Sequence, residues 1–175
     1  MQDAFTTSKI IRTKTEIGRS PVSIAFAAIK LAQQIHGNLS NSTALIVGAG
    51  ETTTLVARHL SNTNIGKVYV ANRTRANSKS ITEICGGETI GLTDIPKFLP
   101  LADIVISSIT TKKPIISLDI AKLSIEKRKG HPIFFVDLGV PRNIEESIGS
   151  IESSFLYTID DLKVIVESNI GARSA

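Results

Sequence analysis

Apolar positions in this chain follow two patterns that alternate along its length. After Ser20-Pro21, a capping residue followed by proline at the first helical position, Val22, Ala25, Phe26, Ile29 and Ala32 recur at helical spacing. This predicts an amphipathic helix running to about His36-Gly37. A polar turn follows at 38–41. Residues 44–47, 67–71, 103–108 and 132–137 are then apolar nearly throughout and too short for helices, which predicts strands covered on both faces. Weaker strands are expected at 88–90, after Gly86-Gly87, and at 154–157. Helices are expected at about 52–61, 75–85, 93–99 and 117–129. A last helix starts at Ile159, with Asp160 and Asp161 in its first turn, and continues to about Ile170. Its apolar positions outnumber those of a single docking face, so it is either a buried terminal helix or one that meets a partner helix or a continuation. Residues 1–20 are polar and mixed, with Ile10, Ile11 and Ile17 as their main apolar points, and read as the tail of something that precedes a compact domain.

Short buried-type strands separated by helices belong to a parallel sheet with helices on both faces. The right-handed crossover rule arranges them as a doubly wound, mostly parallel, Rossmann-like α/β sheet, here with flanking N- and C-terminal helices. The chain contains no internal repeats and no low-complexity tracts.

Composition narrows the class. At 175 residues, 42% hydrophobic and 21% charged, the chain suffices for one domain with a core, or one domain plus an arm, and is not disordered in character. No apolar run reaches the roughly 18 to 20 residues of a membrane-spanning helix. The single cysteine, Cys85, excludes a disulfide framework and a thiolate-rich zinc site within the chain. The first residues lack the basic start and apolar stretch of a secretory signal, so a cytoplasmic protein is expected. The net charge of +4, from 20 Lys+Arg against 16 Asp+Glu, is small and scattered and does not argue for nucleic acid. The densest basic stretch, Lys127-Arg128-Lys129 before Gly130, reads as a helix end where cations complement the dipole and glycine supplies a left-handed cap.

Candidate chemistry begins directly after the first strand, with Gly48-Ala49-Gly50-Glu51-Thr52-Thr53. The first glycine permits a tight turn, and the second lets a pyrophosphate approach the backbone. The helix that starts there offers unpaired N–H groups and a positive dipole end to phosphates. Thr53 replaces the usual third glycine, so the alternative reading is a plain glycine turn. The second strand ends in Ala71-Asn72-Arg73-Thr74, with Asn72 24 positions after Gly48. An NAD-binding chain places Asp or Glu near this point for the ribose 2′-hydroxyl. None is present. Arg73 supplies a planar guanidinium for bidentate phosphate contact, and Asn72 and Thr74 add neutral donors, which favours the 2′-phosphate of NADP. The alternative is that Asn-Arg-Thr caps the next helix with Thr74. The fourth strand ends in Ser107-Ser108-Ile109-Thr110-Thr111, at the sheet edge where such folds bind ligands. Ser108 and Thr110 are candidates for the nicotinamide ribose, or for a polar loop leading to Pro114. In 136–143, Gly139 and Pro141 shape the backbone, and Asp137 or Arg142 is expected to bridge strand ends in a structural role. His36, His59 and His131 have no metal-ligand spacing, no G-x-S-x-G elbow occurs, and Cys85 reads as a partly buried thiol rather than a nucleophile. The sequence offers a cofactor site without an evident catalytic group.

Taken together, Arg12-Thr13-Lys14-Thr15-Glu16-Ile17-Gly18, Val47-Gly48-Ala49-Gly50-Glu51-Thr52 and Val136-Asp137-Leu138-Gly139-Val140-Pro141-Arg142, with the stretches 21–28, 55–60, 71–74, 102–108 and 157–162, resemble the glutamyl-tRNA reductase family. Its members are NADPH-dependent enzymes that open five-carbon tetrapyrrole synthesis. Asn72-Arg73-Thr74 alone also resembles shikimate-dehydrogenase-like NADP domains. The resemblance implies a cysteine, in a catalytic domain that precedes these residues, which attacks the ester of glutamyl-tRNA. NADPH then reduces the thioester to glutamate-1-semialdehyde. It implies that 1–37 are the end of that catalytic domain and its linking helix, 38–158 the NADPH-binding domain, and 159–175 the start of a dimerisation helix. It also implies a homodimeric whole enzyme, with tRNA bound chiefly elsewhere. Gly48 to Thr53 carry over as the nucleotide-binding segment and Asn72, Arg73 and Thr74 as the 2′-phosphate site; Cys85 does not occupy the nucleophile's place. Two other readings stand beside this one: a self-standing oxidoreductase of the shikimate-dehydrogenase type, and a non-enzymatic module whose last helix pairs with a partner.

Overall fold

The computed structural model describes residues 20–174; the stretch before Ser20, with its expected tail character and the motif at 12–18, lies outside them. Helix α1 (Pro21–His36) starts where the sequence places its cap: the Ser23 N–H donates to Ser20 Oγ at 3.3 Å. It ends at Gly37, whose φ of +72° suits glycine. Six strands then alternate with helices: β1 (Thr43–Val47), β2 (Lys67–Ala71), β3 (Glu88–Ile90), β4 (Ile104–Ser107), β5 (Ile133–Asp137) and β6 (Ser154–Thr158). The intervening helices are α2 (Glu51–Ser61), α3 (Arg75–Cys85), α4 (Ile95–Phe98) and α5 (Leu118–Lys127), and α6 (Ile159–Ser174) follows β6.

The strands lie in the order β3-β2-β1-β4-β5-β6, and every pairing is parallel. Strand residues alternate between two buried layers. Ala44, Ile46, Val68, Val70, Ile106 and Val136 face a layer completed by α1, α2, α3 and α6. Leu45, Val47, Tyr69, Val105 and Phe135 face the other, completed by α4, α5 and the turns around them. Because both faces are covered, the strands read as continuous apolar runs. The register places Ile90, Ala71, Val47, Ser107, Asp137 and Thr158 in one row, so all six strands end level. Strand order reverses direction between β1 and β4, and in folds of this kind the crevice that takes a ligand lies at the carboxyl edge of that point.

Two helices are shorter than their sequence pattern. Residues 93–99 hold only the single turn α4, between 3₁₀ turns at Leu92–Asp94 and Leu99–Leu101. Pro96 and Pro100 lack the N–H groups that a continuous helix through both needs. The helix expected to reach 129 stops at Lys127, and Lys129 (φ +56°) and Gly130 (φ +79°) are both left-handed. Lys127 stands in the last turn and Arg128 at the C-cap, as the basic helix end leads one to expect, and the Arg128 guanidinium also donates to Asp103 Oδ1 at 2.6 Å. Among the described residues, no helix is long and apolar enough to cross a membrane.

Candidate functional site: the crevice at the strand ends

The turn after β1 is wedged between its neighbours. Gly48 has φ +115°, its N–H donates to Ala71 O at 2.8 Å, and the Ser108 N–H donates to Val47 O at 2.8 Å. A Cβ on Gly48 would stand 2.3 Å from the Ser108 carbonyl oxygen, so only glycine lets the ends of β1 and β4 approach this closely. Ala49 packs its methyl against the core. Gly50 holds the N-cap position of α2 with extended backbone (φ −96°, ψ −166°), and a Cβ there would meet nothing within 4 Å. The first-turn N–H groups of Glu51, Thr52 and Thr53 precede the first intrahelical donor, Thr54, which reaches Gly50 O at 3.0 Å. Thr53, in place of the third glycine, is fully buried with its Oγ1 donating to Gly50 O at 3.2 Å. A small, buried and internally satisfied side chain therefore stands where the third glycine is usual.

Across the crevice, Arg73 is exposed at the end of β2 and its Nη2 donates to the Thr110 carbonyl oxygen at 2.8 Å, tying the β2 and β4 loops together. That bond uses one of the five N–H groups of the guanidinium. Asn72 Nδ2 donates to Thr74 O at 3.4 Å. Thr74 holds the N-cap position of α3 with extended backbone, yet its side chain makes no capping hydrogen bond. The helix-capping alternative for this residue therefore describes its position but not its hydroxyl. Ser108 is half-buried and Thr110 exposed. The fold thus brings Gly48 to Thr53, Asn72 to Thr74, Ser108 and Thr110 to one edge. Among the described residues, no acidic side chain stands at the end of β2.

Behind the crevice, the carboxylate of Asp137 is fully buried and accepts three backbone N–H groups, Gly139 at 2.9 Å, Asn143 at 2.9 Å and Ile144 at 2.8 Å. Burial pushes its pKa above the ordinary carboxylate value, while these donors and the Arg142 charge pull it back. Arg142 Nη2 donates to Asp160 Oδ2 at 2.8 Å, joining the β5 loop to α6. Asp137 thus ties together its own loop and Arg142 ties that loop to α6, whereas the expectation is that one of them bridges strand ends. Cys85 lies half-buried at the end of α3 with Sγ donating to Ile81 O, and burial raises its pKa, which lowers its thiolate fraction. Among the described residues, no group of three His, Cys, Asp or Glu side chains could hold a metal ion. A separate groove of about 330 Å³ between α1, α2 and α6, with Phe26, Leu31 and Ile165 in its wall, shares no residue with the crevice.

A parallel doubly wound sheet with its glycine turn at the point of strand-order reversal defines the class: a dinucleotide-binding domain of the dehydrogenase type. The family model described as Shikimate / quinate 5-dehydrogenase matches residues 30–165, and the chain belongs to that family. The motif-based resemblance to glutamyl-tRNA reductases extends over almost the whole chain. The glutamyl-tRNA reductase of Teredinibacter turnerae is 46% identical over 172 residues, which are 98% of this chain and 41% of that protein. That of Colwellia psychrerythraea is 48% identical over the same shares. Among solved structures, the glutamyl-tRNA reductase from Methanopyrus kandleri superposes with a TM-score of 0.80 at 36% identity, over 87% of this chain and 39% of its own. The nucleotide-binding domain of the glutamyl-tRNA reductase from Thermoplasma volcanium superposes at 0.68 and 24% identity, over 87% of this chain and 96% of its own. The chain spans about 40% of the length of the curated relatives it matches.

Proposed function

We propose that this chain is the NADPH-binding domain of a cytoplasmic glutamyl-tRNA reductase, with residues 38–158 as the cofactor domain between a linking helix and the start of a dimerisation helix. The observation that carries the choice of cofactor is Arg73, exposed at the end of β2 beside the crevice with no carboxylate there to hold a ribose hydroxyl or repel a phosphate. In this reading the open backbone at Gly50 and the first-turn N–H groups of α2 receive the pyrophosphate. Arg73, with Asn72 and Thr74, holds the 2′-phosphate, and Ser108 and Thr110 border the nicotinamide ribose. When bound, the dinucleotide supplies a hydride. The whole enzyme would pass it to a glutamyl thioester on a cysteine outside these residues, releasing glutamate-1-semialdehyde, and would act as a homodimer on glutamyl-tRNA. Cys85, a half-buried thiol away from the crevice, takes no part, so this chain alone binds cofactor without turning over substrate.

Thermal unfolding with each nucleotide tests the reading. NADPH should raise the melting temperature more than NADH does, and Arg73→Ala should abolish the difference, because one charge-assisted phosphate contact is worth about 1.5–3 kcal/mol. Equal shifts with both nucleotides would refute the 2′-phosphate assignment. The family model also supports a self-standing dehydrogenase of the shikimate type. Reduction of simple keto acids or aldehydes by this chain would favour that reading instead.

A further inference from the structure

The loop that leaves β4, residues 108–116, carries Ser108 and Thr110 along one wall of the crevice, and a single buried residue outside it fixes both of its ends. Asn143 is fully buried. Its Oδ1 accepts from Ser107 Oγ at 2.8 Å and from the Ile109 N–H at 2.9 Å, while its Nδ2 donates to Ile109 O at 2.9 Å and to Pro141 O at 3.3 Å. All the ordinary hydrogen-bonding capacity of a side-chain amide is used. Holding both the N–H and the C=O of Ile109, the amide pairs with that residue as a neighbouring strand would. At the far end of the loop, the main-chain oxygen of Asn143 accepts the N–H groups of Ile115 at 2.7 Å and Ile116 at 3.2 Å.

Asn143 is itself held in place. Its N–H is bound by the Asp137 carboxylate, and Gly139 lies so close that a Cβ there would stand 2.3 Å from Asn143 Nδ2. Asp137 pairs with Ser107 in the ladder, and Ser107 pairs with Val47, the last residue before the glycine turn. On the crevice side, the Ser108 carbonyl oxygen and the Ile109 Cγ2 are the atoms nearest to where a Cβ of Gly48 would stand. The amide of Asn143 therefore sets the position of residues 108–110 against the glycine turn.

We propose that Asn143 is a positioning residue for the nicotinamide half of the cofactor site: it fixes the Ser108–Thr110 wall relative to the pyrophosphate turn while touching no cofactor atom. The proposal rests on the dinucleotide reading above. It separates the two halves of the ligand, because the adenosine 2′-phosphate end is held from β2 by Arg73, whose one bond to the β4 loop goes to the Thr110 carbonyl, whereas the wall itself is held at Ile109 by Asn143.

The test compares NADPH with adenosine 2′,5′-bisphosphate, which lacks the nicotinamide half, by calorimetric titration of the wild-type chain, Asn143→Asp and Ser107→Ala. Asn143→Asp removes the donors to Ile109 O and Pro141 O, and Ser107→Ala removes one donor to the amide oxygen. Both leave the main-chain contacts of residue 143 intact. The Kd for NADPH should rise about tenfold in Asn143→Asp and about threefold in Ser107→Ala, in keeping with loss of buried hydrogen bonds. The Kd for the bisphosphate should stay within about twofold of wild type. If Asn143→Asp does not fold, Ser107→Ala decides. Equal weakening of both ligands, or of neither, overturns the positioning role. Failure of the wild-type chain to bind either ligand overturns the dinucleotide reading and this inference with it.

Discussion

Gly48 and Gly50 stand two positions apart in one motif and meet opposite demands. Gly48 is constrained by the protein: its φ of +115° disfavours any side chain, and the carbonyl of Ser108 occupies the space a Cβ would need. Gly50 has an ordinary extended backbone and open space beside it, so nothing within the protein requires glycine there. In the proposed function, what requires it is the pyrophosphate approaching the backbone. Gly48→Ala should therefore lose about 2–5 kcal/mol of stability, since backbone strain and overpacking each cost on the order of 1–3 kcal/mol. Gly50→Ala should lose only about 0.5–1 kcal/mol of stability, because alanine is a poorer N-cap than glycine, yet bind NADPH at least tenfold more weakly. Denaturant unfolding and nucleotide titration of the two variants check this, and a Gly50→Ala protein with unchanged affinity would remove the pyrophosphate from this turn.

At the scale of elements, the sequence carried most of the fold, and its failures have local causes. The strands were legible because burial on both faces makes each a continuous apolar run, and β2, β3 and α3 fall where the pattern places them. Residues 93–99 were not, because helical periodicity does not register how Pro96 and Pro100 divide the segment into short turns. The site was legible where its chemistry is local, as in the glycine turn and Arg73. It was opaque where one residue acts across the sheet: Asn143 is an ordinary loop asparagine in sequence, and only pairing of β4 with β5 brings it to Ile109. Helix α6, with more apolar positions than one face requires, resolves in the same way. Leu162 and Val166 are buried in the layer shared with α1, while Val164 is 65% exposed. Leu162→Ala should cost about 2–5 kcal/mol of stability by the usual cavity penalty, and Val164→Ala should stay within about 0.5 kcal/mol of wild type. Comparable losses from both, in urea unfolding of the isolated chain, would mean that α6 does not dock as described.

Across the whole molecule, the two edges of the sheet have been given different work. The carboxyl edge carries the first-turn N–H groups of α2 and the exposed Arg73, bonded to the Thr110 carbonyl. At the opposite edge a largely buried ion pair ties several elements together. Arg128 donates to Asp103 Oδ1, Pro100 O, His131 O and Pro132 O, while Asp103 Oδ2 accepts the Thr43 N–H at 2.9 Å and the Asp103 carbonyl is bonded by His36 Nε2 at 2.8 Å. The clamp joins the ends of α1 and α5 to the starts of β1, β4 and β5. The Arg128 side chain is only 8% exposed. Removing Arg128 leaves the Asp103 carboxylate, 25% exposed, without its partner and takes away the bonds to three carbonyl groups, which costs about 2–4 kcal/mol. Arg128→Ala should therefore lower stability by roughly that amount. Its effect on the crevice should be small, because Asp103 and Ser107 lie at opposite ends of β4, about 13 Å apart at the usual strand rise. In urea unfolding paired with NADPH titration, the variant should lose several kcal/mol of folding free energy while its Kd stays within about twofold of wild type at temperatures where it is folded. A marked loss of affinity in folded Arg128→Ala would show that the two edges are coupled through the sheet, and a loss of stability below about 1 kcal/mol would reduce the clamp to the worth of a surface ion pair.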